Sequence, residues 1–118
     1  MRKLFLTMAL IFGITTFVFA ADGRNPTIYN KTLTTANTEY SQVITPGTKK
    51  ITVQCRTNYA VRIAYETGKV AGSTAPYFTM KSGAVYWEDN LAATMDNPVT
   101  IYLASSQAGV IVEILVWR

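Results

Sequence analysis

Apolar and polar side chains alternate along most of this chain with a period of two, in short runs broken by Gly, Pro, Asn and Ser. That is the pattern of strands with one covered face. The last run differs: from Val110 to Trp117 only Glu113 is polar. Val110, Val112, Ile114 and Val116 point one way, and Ile111, Glu113, Leu115 and Trp117 the other, so both faces call for cover. Such a strand belongs in the middle of a sheet, because at an edge it would pair with other chains.

The remaining strands follow by the same test. A short peripheral strand is expected between Thr27 and Thr38, where Ile28 and Leu33 are the aliphatic anchors. Glu39 to Thr45 aligns Tyr40 with Ile44 and stops at Pro46-Gly47, the central pair of a type II turn. Lys50 to Thr57 alternates strictly, which predicts an antiparallel hairpin with the strand before it. Tyr59 to Thr67 places Val61, Ile63 and Tyr65 inward. Tyr77 to Lys81 and Ala84 to Glu88 are short strands joined at Ser82-Gly83, and Val99 to Ala104 precedes the terminal strand across 105–109. The loops are 68–76 and 89–98, the second with room for one helical turn at Leu91 to Met95.

Seven or eight short strands without an amphipathic helix predict an all-β fold: a single antiparallel β-sandwich, jelly-roll-like or immunoglobulin-like. If each strand crosses the sandwich, connections alternate between its ends. Pro46-Gly47, 68–76 and 89–98 then share one end, with Lys49, Lys69, Asp89, Asn90, Asp96 and Asn97. Asn58, Gly83 and 105–109 share the other. Long loops on a rigid scaffold are where binding concentrates, so the first end is the candidate.

The start of the chain changes the picture of its location. Met1-Arg-Lys, an apolar run from Leu4 to Phe19 and the ending Val18-Phe-Ala20 predict a signal peptide over residues 1–20, cleaved after Ala20. Residues 21–118 then form the domain, and the protein is secreted, periplasmic or on the cell surface. The membrane becomes a partner only if the segment stays uncleaved. Arg2 and Lys3 supply half of the formal charge of +4. The one basic pair that remains, Lys49-Lys50, is too small a cluster for nucleic acid. A domain of this size buries about two-thirds of its unfolded surface and needs no staple. Cys55, the only cysteine, shares the apolar face of Ile51 and Val53 and is expected as a buried, inert thiol.

Chemistry is sparse. There is no histidine, which removes Ser-His-acid and Cys-His nucleophiles and the commonest zinc ligand. Glu88 and Asp89 are sequence neighbours on a strand and point to opposite faces, a poor acid and base pair. The chain is therefore read as not an enzyme, with no cofactor and no metal. The oxygen ligands Asp89, Asn90, Asp96 and Asn97 lack ordered calcium-loop spacing and serve turn formation instead. Aromatics carry more signal: seven tyrosines, two tryptophans and Phe78 lie beyond residue 20. Tyr86 and Trp87, leading into Asp89 and Asn90, could stack on a sugar ring while the polar groups take its hydroxyls; packing the core is their commoner use.

The segment Lys81 to Asn90, a glycine turn and an aromatic strand ending in an acidic pair, is followed by a Tyr-Leu strand at Thr100 and by the terminal Val-Glu-Ile-Leu-Val-Trp strand. Together they resemble small β-sandwich structural proteins of tailed phages and their uncultured viral relatives, across the last half of the mature chain and more weakly over Lys50 to Glu66. The resemblance implies a non-enzymatic particle or surface component and carries over no catalytic residue. The signal peptide departs from that pattern, since virion proteins assemble in the cytoplasm.

Two functions are expected to compete. One is a secreted, non-catalytic structural or assembly subunit that self-associates, or joins another surface or particle protein, through strand edges or through Ile111, Leu115 and Trp117. The other is a carbohydrate-binding module that holds a glycan with Tyr86, Trp87, Asp89, Asn90, Asp96 and Asn97.

Overall fold

The computed structural model describes residues 26–89, 91 and 97–118. The signal peptide expected over 1–20, Asn90, Asp96 and most of the helical turn expected at 91–95 lie outside these residues. Among the described residues eight strands form: β1 (Thr27–Leu33), β2 (Tyr40–Ile44), β3 (Lys50–Cys55), β4 (Val61–Ala64), β5 (Phe78–Met80), β6 (Val85–Glu88), β7 (Val99–Ala104) and β8 (Val110–Trp117). They build two four-stranded antiparallel sheets, ordered β1-β8-β3-β6 and β2-β7-β4-β5. The result is a β-sandwich. β8 is interior, paired with β1 on one side and β3 on the other, as its composition requires.

The core is aliphatic. Leu33, Ile51, Val53, Val110, Val112, Ile114 and Val116 come from the first sheet, and Ile44, Val61, Ile63, Met80, Ile101 and Leu103 from the second. Burying each such side chain is worth about 2 kcal/mol, which explains how the domain dispenses with a disulfide. Cys55 is half-buried at the end of β3, packed against this core, with its sulfur 3.3 Å from the Thr57 hydroxyl.

Every connection except that between β4 and β5 passes from one sheet to the other. This overturns the hairpin expected of β2 and β3. The turn does form, with Gly47 at φ 79°, but it links facing sheets rather than neighbouring strands. Stacked sheets lie only about 10 Å apart, so a tight turn can bridge them, and Ile44 and Ile51 reach the same core from opposite sides. β4 is also shorter than its alternation predicts. It stops at Ala64, paired with Tyr102, and Tyr65 is exposed rather than inward.

The expected gathering of long connections at one end holds only in part. Leu91 N–H donates to the Lys49 carbonyl (3.4 Å), Lys49 N–H to the Trp117 carbonyl (2.7 Å), and the Arg118 guanidinium to the Thr45 hydroxyl (2.9 Å). These bonds put the 46–47 turn, residue 91 and the chain terminus together. At the other end Asn37 N–H donates to the Ser105 carbonyl and Gly109 N–H to that of Leu33.

Residues 65–77 do not project from the first end. The Glu39 carboxylate, just ahead of β2, accepts from the Gly68 N–H at 2.8 Å and the Thr67 hydroxyl at 2.8 Å. Arg62 donates to the Ser73 hydroxyl and to Asn37 Oδ1. Val70 is thereby fully buried against Ala64, Ala104 and Tyr102, and the loop lies over the outer face of the second sheet. Lys69 goes with it, away from Lys49.

Candidate functional site

Strand register determines what the outer face of the first sheet presents. Leu115 stands opposite Ile28 on β1 and Thr52 on β3, and Thr52 stands opposite Trp87 on β6. A row Ile28, Leu115, Thr52, Trp87 therefore crosses the whole sheet. Two residues along β8, the next row is Asn30, Glu113, Gln54, Val85. Trp117 opposite Lys50, and Ile111 opposite Thr32, extend the face at its two ends. Ile28 is 64 % exposed, Trp87 57 %, Val85 50 % and Trp117 37 %. Ile111 and Leu115 are half-buried.

Glu113, the single polar residue of β8, is accommodated by this register. Its carboxylate accepts from Gln54 Nε2 and from Arg56 Nε, each at 2.6 Å, and Arg56 also donates to Asn30 Oδ1 at 3.1 Å. The hydrogen bonds from Gln54 and then Arg56 hold the Glu113 carboxyl below its ordinary value of 4.5. A shallow depression of about 200 Å³ lies between the rows, lined by Ile28, Thr52, Gln54, Glu113 and Leu115. The Lys50 ammonium stands 5.8 Å from the centroid of the Trp87 ring, within cation–π range.

The candidate assembly residues Ile111, Leu115 and Trp117 thus share one surface. Trp87, expected to act with Tyr86 on a sugar, joins that surface instead. Neighbours on a strand face opposite ways, and Tyr86 turns toward the space between the sheets, opposite Val53 and against the core. Asp89 and Asn97 are exposed at the ends of the 89–98 connection. Asn90 and Asp96 lie outside the described residues.

Tyr86 instead closes a cleft where β5 and β6 form the open edge of the sandwich. The cleft holds about 300 Å³ and is lined by Ile63, Ala64, Tyr65, Glu66, Pro76, Tyr77, Phe78 and Tyr86. The Phe78 and Tyr86 rings meet at 46° with centroids 5.3 Å apart, and the Tyr65 and Tyr86 hydroxyls bond at 2.9 Å. Burial keeps the Tyr65 phenol protonated well above its ordinary range, reinforced by the bond to Tyr86 and by the negative charge of Glu88. Sequence reading missed this cleft because Tyr65 was assigned to a strand interior. Its signal was present as aromatic residues at both ends of one loop, Tyr65 before it and Tyr77 and Phe78 after it.

Comparison with known proteins finds no matching family model and no matching curated sequence. Among solved structures, the solution NMR structure of a de novo designed double-stranded beta-helix is similar at 18 % identity and a TM-score of 0.47, covering 80 % of this chain and 99 % of that one. A likeness that slight carries no weight for fold or function.

Proposed function

We propose that this chain is a secreted, non-catalytic structural subunit, a sandwich of jelly-roll type, that self-associates through the outer face of the sheet β1-β8-β3-β6. The carrying observation is the apolar row that the register draws across that sheet, with Ile28 and Trp87 more than half exposed at its ends. Exposed apolar area this continuous is characteristic of interaction surfaces, and large aromatics anchor such contacts. The jelly-roll assignment rests on strand order: connections that change sheet at all but one step match paired Greek keys, whereas immunoglobulin-type sandwiches keep about half of their successive strands in one sheet. Export rests on the pattern of residues 1–20, and the likeness to phage particle proteins supports a structural role.

Both tryptophans of the protein, Trp87 and Trp117, lie on the proposed interface, so intrinsic fluorescence reports on it directly. Emission should shift to the red on dilution as the rings re-enter water. Emission independent of concentration, with a monomer sedimenting throughout, would contradict the proposal. The carbohydrate-binding reading is favoured by one feature, the depression between an apolar row and a row of amides and a carboxylate. Under that reading added glycans change tryptophan emission and leave sedimentation unaltered.

A further inference from the structure

The aromatic cleft at the β5/β6 edge lies outside the face used for assembly and has a different chemistry. Rings enclose it at an angle rather than as a flat shelf: Phe78 and Tyr86 meet at 46°, and Tyr65 and Tyr77 complete the lining. Glu66 supplies a carboxylate, 68 % exposed, and its ion pair with Lys69 is loose at 3.9 Å. Among the described residues, no lysine or arginine lines the cleft. Aromatic faces are the negative pole of a quadrupole and attract cations, so rings and carboxylate act with one sign.

We propose that this cleft is a binding site for a methylated ammonium group, a cation whose charge suits the rings and Glu66 and whose methyl surface suits the apolar lining. The C–H face of a sugar ring would want a flat, exposed aromatic platform, which rings meeting at this angle do not offer. An anion would be repelled by the Glu66 carboxylate and by the ring faces. The volume of about 300 Å³ is at the lower end for small-molecule sites, a match for a compact head group. The Tyr65 and Tyr86 hydroxyls, engaged with each other at 2.9 Å, fix one wall in place before any ligand arrives. The ligand therefore meets a preformed site, which lowers the cost of binding.

The test is titration of the purified protein with choline chloride at fixed ionic strength, followed by the ring resonances of Tyr65, Phe78 and Tyr86. Saturable shifts are expected. The uncharged isostere 3,3-dimethyl-1-butanol should bind about tenfold more weakly, the cation–π share of the affinity. Glu66→Gln and Phe78→Leu should each weaken choline binding several-fold at unchanged melting temperature, since both side chains are more than half exposed. Equal binding of choline and the isostere would reduce the cleft to an apolar hollow and overturn the proposal. Glucose binding in place of choline, or no saturable shift with choline, would overturn it too. Repeating the titration on a Leu115→Lys monomer separates this result from the fate of the assembly face.

Discussion

The two outer faces of the sandwich have been treated differently by the same chain. On the second sheet the outward residues of β4 and β7 include Ala64, Ala104 and Tyr102, and residues 65–77 fold over them, with Val70 fully buried at the contact. Glu39 and Arg62 pin that cover with hydrogen bonds to Gly68, Thr67 and Ser73. On the first sheet the outward residues Ile28, Trp87, Val85 and Trp117 are each more than a third exposed. The alanines at 64 and 104 admit a covering loop at close range, whereas indole rings and an isoleucine present a raised surface. The chain itself thus covers part of one outer face and leaves the apolar row of the other open.

The comparison breaks most decisively within β8, where inward and outward residues are adjacent. Ile114→Lys puts a charge among side chains with no solvent access and should cost about as much as the whole stability of a small domain, roughly 5–10 kcal/mol. The variant is expected to lack a cooperative thermal transition. Thr100→Lys, on a half-exposed position of β7, should melt within a few degrees of the parent. A folded Ile114→Lys protein would reverse the assignment of inner and outer faces.

Next in size is the covered face. Val70→Ala removes the side chain that seals the 65–77 loop and should destabilise by about 2 kcal/mol, seen as a lower denaturant midpoint. The loop should also become the earliest site of limited proteolysis. Unchanged stability and unchanged cleavage would mean that the loop lies on the sheet without packing into it.

The smallest effect belongs to the polar row of the open face. Glu113 is held below its ordinary value of 4.5 by hydrogen bonds from Gln54 and Arg56. A carboxyl whose folded value is depressed contributes stability that is fully present above its unfolded value and lost as pH falls through the folded one. Acidification below about 4.5 should therefore erode stability, and Glu113→Gln should flatten that part of the profile. Because the network lies at the surface, where water screens it, the change should be small, and a variant with an identical acid limb would show that the network contributes nothing measurable.

Much of this architecture is legible from alternation alone. All eight strands, the positive-φ turn at Gly47 and the interior place of β8 follow from periodicity and turn chemistry. Pairing does not, because alternation specifies which face of a strand is buried but not which neighbour it joins. Pro46-Gly47 makes the same turn whether it closes a hairpin or links two sheets. The loop over the second sheet was hidden for a related reason: Val70 is a lone apolar residue among Gly, Lys and Ala, without a period to betray its burial. Tyr86 and Trp87 are strand neighbours, so alternation alone sends one to the cleft and the other to the open face, and their joint assignment to one sugar site overlooked it.

Sedimentation velocity on the purified protein and on Leu115→Lys tests the central claim most directly. Leu115 is half-buried, in the middle of the exposed apolar row, with Ile28 and Thr52 beside it. A lysine there can keep its ammonium in water. The parent should sediment as an oligomer and Leu115→Lys as a monomer with a melting temperature close to that of the dissociated parent. A parent that stays monomeric at every concentration, or a Leu115→Lys protein that assembles as the parent does, would contradict the assignment of this face to assembly.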